Sequence, residues 1–396
     1  MPTWTPKIVH ILGLLSVILI AVLLATLAIP IQQWRTGDQG LAPLTYAPVQ
    51  ARLESPRRLW IDTDAACGHG ERTDPDDCFA IALLAYTIEF QIVGISTVFG
   101  NAPLDVVDQT TNELARRLSA DLGRPLPIYS GYATPLEPET QPTPPPAYQA
   151  LMEALEAGPL TIVALGPLTN LAAVLDGRPD LGSRVGQLVT VMGRRPGHIF
   201  HPAEGAGRGG LLGHGPVFRD FNFVMDMGAA QRIVALNVPT TLVPYDAARG
   251  IEITATDLDR LGAAGGAIAW IAERARGWLD YWRTDIGREG FYPFDLIAAM
   301  YAIEPQNFAC ARVQAWIGED VTLFIPFWRP TALLVGQNDR PFENAHAVGS
   351  ALYCAKVLDG FKNVVVQQFD SWRKRAGKNI ETVVKQPLSI SDSSND

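Results

Sequence analysis

Five aspartates fall within sixteen residues of this chain: Asp62, Asp64, Asp74, Asp76 and Asp77. The first two end an apolar run, Leu-Trp-Ile-Asp62-Thr-Asp64, and the last two lead into another, Cys78-Phe-Ala-Ile-Ala-Leu-Leu-Ala-Tyr86. Negative charges so close repel one another unless a cation, or a transition state carrying positive charge, sits among them. A single aspartate usually reads as a solvated carboxylate or a helix cap. A crowd of them at the end of a buried-looking strand reads as a site.

The elements that must position these acids alternate along the chain. Strand patterns cover Leu59–Ile61, Gln91–Val98, Leu126–Tyr129, Leu160–Leu165, Gly186–Met192 and Pro239–Val243. Helical patterns lie between them at Asp105–Leu118, Tyr148–Ala157 and Asn170–Leu175, then dominate Asp257–Trp282 and Phe294–Ala302. Strands spaced by helices predict an α/β fold: an open, mostly parallel sheet covered by helices on both faces. In such sheets ligands bind at the carboxyl ends of the strands, where the acids fall.

Composition narrows the class. A hydrophobic content of 47% in 396 residues supplies a large core, and a net charge of -9 with no basic stripe gives nucleic acid no purchase. The four cysteines fit neither a disulfide scaffold nor a zinc site, although Cys67 and Cys78 bracket the acidic loop as either a bridge or two thiols. Residues Ile8 to Ile29 form an apolar run broken only by His10, long enough to span a bilayer as a helix. The run reads as an uncleaved membrane anchor with the body exported; a signal peptide cut near Thr26-Leu-Ala28 is the alternative. The expected organisation is an anchor or signal over 1–30, a linker over 31–57, the main domain over 58–370 and a polar tail over 371–396. Gly205-Ala-Gly-Arg-Gly-Gly210 matches a dinucleotide fingerprint only formally, because no strand and helix flank it, and reads as a loop or lid.

Four further segments carry a resemblance. They are Ile95-Ser-Thr-Val-Phe-Gly-Asn101, Ala164-Leu-Gly-Pro-Leu-Thr169-Asn170, Asp220-Phe-Asn222 and Phe294-Asp295-Leu. Together with Asp62-Thr-Asp64 and Asp76-Asp77, in this order from about Leu59 to Glu304, they resemble the inosine/uridine-preferring nucleoside hydrolases. The resemblance implies hydrolysis of the bond between ribose and base, with a calcium ion (Ca2+) held by Asp64, Asp77, Asp295 and the backbone carbonyl of Thr169. An oxygen-only donor set suits that hard cation. Asp64 would accept the proton of the attacking water, and Asp76, Asn101, Asp220 and Asn222 would hold the ribose hydroxyls. A nucleoside is then the partner, and a homo-oligomer is compatible with the chain.

The chain departs from that family in three places. The compact Asp-x-Asp-Pro-Gly-x-Asp-Asp loop is stretched, so that Asp64 and Asp76 lie twelve residues apart without the Pro-Gly turn. A histidine associated with protonating the leaving base is replaced by Phe294, with Tyr281, Trp282 and Tyr292 nearby as aromatic alternatives. The family's glutamate is shortened to Asp220, and His214 stands where an asparagine meets the ribose 5′ end. Two other readings follow: a ribose- or nucleoside-binding protein of this fold with impaired catalysis, and a haloacid-dehalogenase-like phosphatase using Asp62 as nucleophile.

Overall fold

A computed structural model of the chain describes residues 13–23, 42–50, 57–70, 72–136, 143–198, 220–249, 251–320, 329–337 and 345–361, with positions 364, 365, 368 and 371. In chain order the strands are β1 (Ala47–Pro48), β2 (Arg57–Thr63), β3 (Phe90–Thr97), β4 (Ile128–Tyr129), β5 (Leu160–Ala164) and β6 (Val185–Thr190). They continue with β7 (Thr240–Leu242), β8 (Ile253–Thr254), β9 (Gly290–Phe291), β10 (Phe308–Glu319), β11 (Thr331–Gly336) and β12 (Ala347–Val357). The helices are α1 (13–23), α2 (Asp76–Tyr86), α3 (Leu104–Leu122), α4 (Pro146–Glu156), α5 (Thr169–Gly177) and α6 (Phe221–Met225). After them come α7 (Met227–Leu236), α8 (Tyr245–Ala248), α9 (Ala255–Gly262), α10 (Gly266–Arg274), α11 (Arg276–Tyr281) and α12 (Phe294–Ile303).

The main sheet runs β1-β10-β12-β7-β6-β5-β2-β3-β4, with β11 also on β10. All pairings from β12 to β4 are parallel. The chain enters at β2, steps outward through β3 and β4, then returns to the other side of β2 through β5, β6 and β7. The order therefore reverses at β2, and the loops after β2, β3 and β5 open side by side at the carboxyl edge.

Period-two alternation sends each central strand into two cores. Leu59, Ile61, Val163 and Val189 face one way, against α2, α9, α10 and α12. Trp60, Ile162, Ala164 and Leu188 face the other, against α4, α5 and α7. Apolar residues on both faces are what a covered parallel sheet requires.

Every strand expected from Leu59 to Val243 is present, but the antiparallel arm of β10, β11 and β12 was not anticipated. Its signal is in the sequence: Ala311, Val313 and Ala315 are buried while Arg312 and Gln314 are exposed. Ala47–Pro48, inside the stretch expected as linker, pairs with β10. Both cysteine pairs are bridged, Cys67 to Cys78 and Cys310 to Cys354.

Of the expected amino-terminal span, residues 13–23 form α1, with Leu14, Leu15, Val17 and Leu19 exposed. Among the described residues no helix is long and apolar enough to cross a membrane. The rest of that span, the Gly205–Gly210 loop and nearly all of the C-terminal tail lie outside the described residues.

Candidate active site

The chain leaving β2 stays buried through Thr63, Asp64, Ala65 and Ala66, so the strand's momentum carries its acids inward. Thr63 faces α2, where its hydroxyl donates to Asp77 Oδ1. Asp64 accepts the backbone N–H of Asn101 at 2.8 Å. The Asn101 side-chain amide then reaches both acids, donating to Asp77 Oδ2 at 3.0 Å and to Asp64 Oδ1 at 3.4 Å. The loop after β3 can come this close only because position 100 has no side chain. A Cβ at Gly100 would sit 1.9 Å from Asp64 Oδ2.

From the other side, the first turn of α12 closes the cluster. The Asp295 backbone N–H donates to Asp76 Oδ2 at 2.8 Å. Carboxylate oxygens of Asp76, Asp77 and Asp295 all lie within 4.8 Å of one another, and all three residues are buried. Asp76, expected at the sugar, thus stands in the acid triad as well as on the cavity wall.

Burial and mutual repulsion act together on these groups. Desolvation, then repulsion from Asp77, holds the Asp64 carboxyl well above the usual range. The same order of causes, burial first and then Asp76, raises Asp77 to about 6. Burial, then repulsion from Asp76 and Asp77, lifts Asp295 well above its ordinary value, and burial raises Asp76 as well. A hard cation fits this oxygen-only set, because it would remove the repulsion that the pKa shifts record.

Asp62 belongs to the scaffold. It is 1% exposed, and its Oδ1 accepts from Ser96 Oγ and, at 2.7 Å, from Asn170 Nδ2. Burial pushes its carboxyl to about 7. Asn170 is the knot that the sequence did not reveal as such: it also donates to Thr97 O and accepts from Tyr132 N, tying the ends of β2 and β3 and the chain after β4 to the start of α5. Thr169 beside it is fully buried, its hydroxyl given to Asp226 at 2.7 Å. It does not line the cavity.

The cavity above the acids measures about 470 Å³. Asp76, Asn101, Asp220, Asn222 and Asp295 line it, so four of the five expected sugar residues meet there. The fifth, His214, lies outside the described residues. Asp220 accepts the Gly193 N–H at 2.6 Å, and burial raises its carboxyl to about 6. Asn222 is oriented by its amide, which donates to Leu165 O at 2.6 Å and Val191 O at 3.2 Å.

The cavity's aromatic lining is Phe294, Trp278, Tyr245 and Phe221. Trp282 and Tyr292 prove to be core residues behind it, both 0% exposed, and Tyr281 lies under the Arg72 guanidinium instead. Trp278 was the aromatic missed, one turn before Trp282 in the same run. Among the described residues lining the cavity Arg72 is the only basic one, and Asp285 pairs with it at 3.2 Å.

Buried carboxylates at a switch point, beside a pocket lined by both polar acceptors and aromatic rings, suit a hydrolase for a polar substrate that carries a flat group. The family model "Inosine-uridine preferring nucleoside hydrolase" matches residues 59–344, and the chain belongs to that family. It is an enzyme of the N-glycosidic hydrolase class, acting on ribonucleosides. An uncharacterized protein of Schizosaccharomyces pombe is 27% identical over 281 residues, covering 62% of this chain and 83% of its own length. The pyrimidine-specific ribonucleoside hydrolase RihA of Salmonella schwarzengrund is 25% identical over 270 residues, 61% of this chain and 80% of its own. The solved structure of the plant nucleoside hydrolase PpNRh1 shares the fold at a TM-score of 0.60 and 20% identity, covering 81% of this chain and 99% of that one.

Proposed function

We propose that this chain uses a calcium ion at the Asp64, Asp77 and Asp295 carboxylates, with the Thr169 carbonyl, to hydrolyse a ribonucleoside into base and ribose. The observation that carries the reading is the buried, oxygen-only triad of Asp76, Asp77 and Asp295, joined to Asp64 through the Asn101 amide, of which Asp76 and Asp295 line the 470 Å³ cavity. A divalent cation held there would lower the pKa of a water molecule and neutralise the cluster. Asp64 is the base that receives the water's proton, fixed in orientation by the Asn101 backbone N–H. Asp76, Asn101, Asp220 and Asn222 accept and donate to the ribose hydroxyls, and His214 serves the 5′ end. As the ring gains positive charge, the surrounding carboxylates stabilise it more than they stabilise the substrate. The base leaves against Phe294 and Trp278, whose faces stack on it.

Export on an amino-terminal anchor fits the apolar run Ile8–Ile29 and the two disulfides, which persist in oxidising compartments. One observation favours a second reading, ribose or nucleoside binding with little turnover: Phe294 can donate no proton to a leaving base. The deciding experiment incubates the full chain with a ribonucleoside panel and calcium and measures free base. Release supports hydrolysis; calorimetric binding without release selects the second reading.

A further inference from the structure

We infer that the Cys67–Cys78 bridge is a positioning device for the acid cluster, doing the work that a Pro-Gly turn does where the loop between the acids is short. The inference rests on the metal reading above.

The bridge spans eleven residues and closes the neck of the inserted loop. The segments next to the bridge are buried: Asp64, Ala65 and Ala66 just before Cys67, and Pro75, Asp76 and Asp77 at the returning end of the closed loop, just before Cys78. Cys67 and Cys78 are themselves 3% and 0% exposed. Beyond the neck, Gly68, His69, Gly70 and Arg72 are exposed, and the chain turns through positive φ at Gly68 and Gly70. The loop is thus two parts, a fixed base carrying the acids and an outer arc carrying Arg72.

The base needs such a tie. Asp64 and Asp77 are buried carboxylates on the outgoing and returning segments, both within reach of the Asn101 amide, and like charges there push the segments apart. The hydrogen bonds from Thr63 and Asn101 oppose this. Neither, however, joins the two ends of the loop covalently, and Cys78 directly follows Asp77. Pinning the ends before the cation arrives removes loop-ordering entropy from the binding step. For a closed loop of this length the chain-entropy treatment gives a contribution equivalent to about ten- to hundredfold in affinity.

The second bridge, Cys310–Cys354, supplies the control. It joins β10 to β12, strands that also pair from Ala311 to Ile317 beyond the register shift beside Cys310, and neither cysteine lines the cavity. The test titrates calcium chloride into the full chain at pH 8 by calorimetry and records the calcium-induced rise in Tm. The wild type is compared with Cys67→Ala/Cys78→Ala and with Cys310→Ala/Cys354→Ala. The first double variant should bind calcium about ten- to hundredfold more weakly, and the second within about threefold of wild type. Replacing residues 65–75 by Pro-Gly-Ile, with Cys78→Ala, should restore wild-type affinity without any bridge. Unchanged affinity in Cys67→Ala/Cys78→Ala would overturn the inference. Should that variant not fold, the shortened loop decides: calcium binding within threefold of wild type supports the inference and its loss overturns it. A wild type that binds no calcium contradicts the metal reading itself, and this inference with it.

Discussion

Replacing Asp62 by asparagine isolates one buried carboxyl and makes its cost measurable. Asp62 titrates at about 7 in the folded chain because of burial, against about 3.9 when unfolded. The folded value is the raised one, so the protein takes up a proton on folding between those values. The stabilising contribution is full below pH 4 and is lost as pH rises through 7. The total is about 4 kcal/mol, of which about 2.5 kcal/mol falls between pH 5 and pH 8. Asparagine keeps an oxygen for Ser96 and Asn170 but cannot ionise. Its amide nitrogen takes the place of Oδ2, which has no hydrogen-bond partner among the described residues, at a pH-independent cost of about 1–3 kcal/mol. Urea denaturation with a chelator present, at pH 5 and pH 8, separates slope from offset, since the other acids titrate alike in both proteins. Asp62→Asn should gain about 2.5 kcal/mol relative to wild type across that range. A difference that stays flat with pH would refute the burial argument. Base release at pH 7 should survive the change, because Asp62 accepts its hydrogen bonds from Ser96 and Asn170 and from none of the acids of the cluster.

Three further outcomes follow from the geometry. Asp64→Asn should lower kcat by about 10²–10⁴-fold while leaving the thermal transition within a few degrees, as removal of a positioned base does; unchanged turnover would take Asp64 out of the mechanism. Gly100→Ala places a Cβ 1.9 Å from Asp64 Oδ2, so it should cost about 1–3 kcal/mol of stability and most of the activity, read by denaturation and base release. Phe294→His restores an acid beside Asp295 at the cavity wall and should raise kcat for nucleosides by at least about tenfold, with a new alkaline limb in the pH profile where the imidazolium loses its proton.

What was legible in the sequence came from local patterns. Buried parallel strands are continuous apolar runs, and the motifs sit at their carboxyl ends, so β2, β3, β5 and the acids could be placed by reading. Gly100 and Gly166 belong to those motifs for a spatial reason the sequence only hints at, since a Cβ at either meets the Asp64 side chain. The antiparallel arm was harder to see because small residues such as Ala309 and Ala311 weaken its alternation, and because register there is set by pairing between distant segments. Asn170 looked like one motif residue among several; its three partners lie in β2, in β3 and after β4, up to 108 positions away in sequence. The division of the aromatic residues between cavity and core turned on the helical turn from Trp278 to Trp282, which spacing alone does not resolve.

The central claim is that the buried acids serve a cation-assisted hydrolysis. The full chain, assayed at pH 7–8 for free base from a ribonucleoside panel, should release base with calcium present, lose at least 90% of that rate when calcium is chelated, and regain it on readdition. Turnover indifferent to chelation, or none with any ribonucleoside from protein shown to be folded, would contradict it.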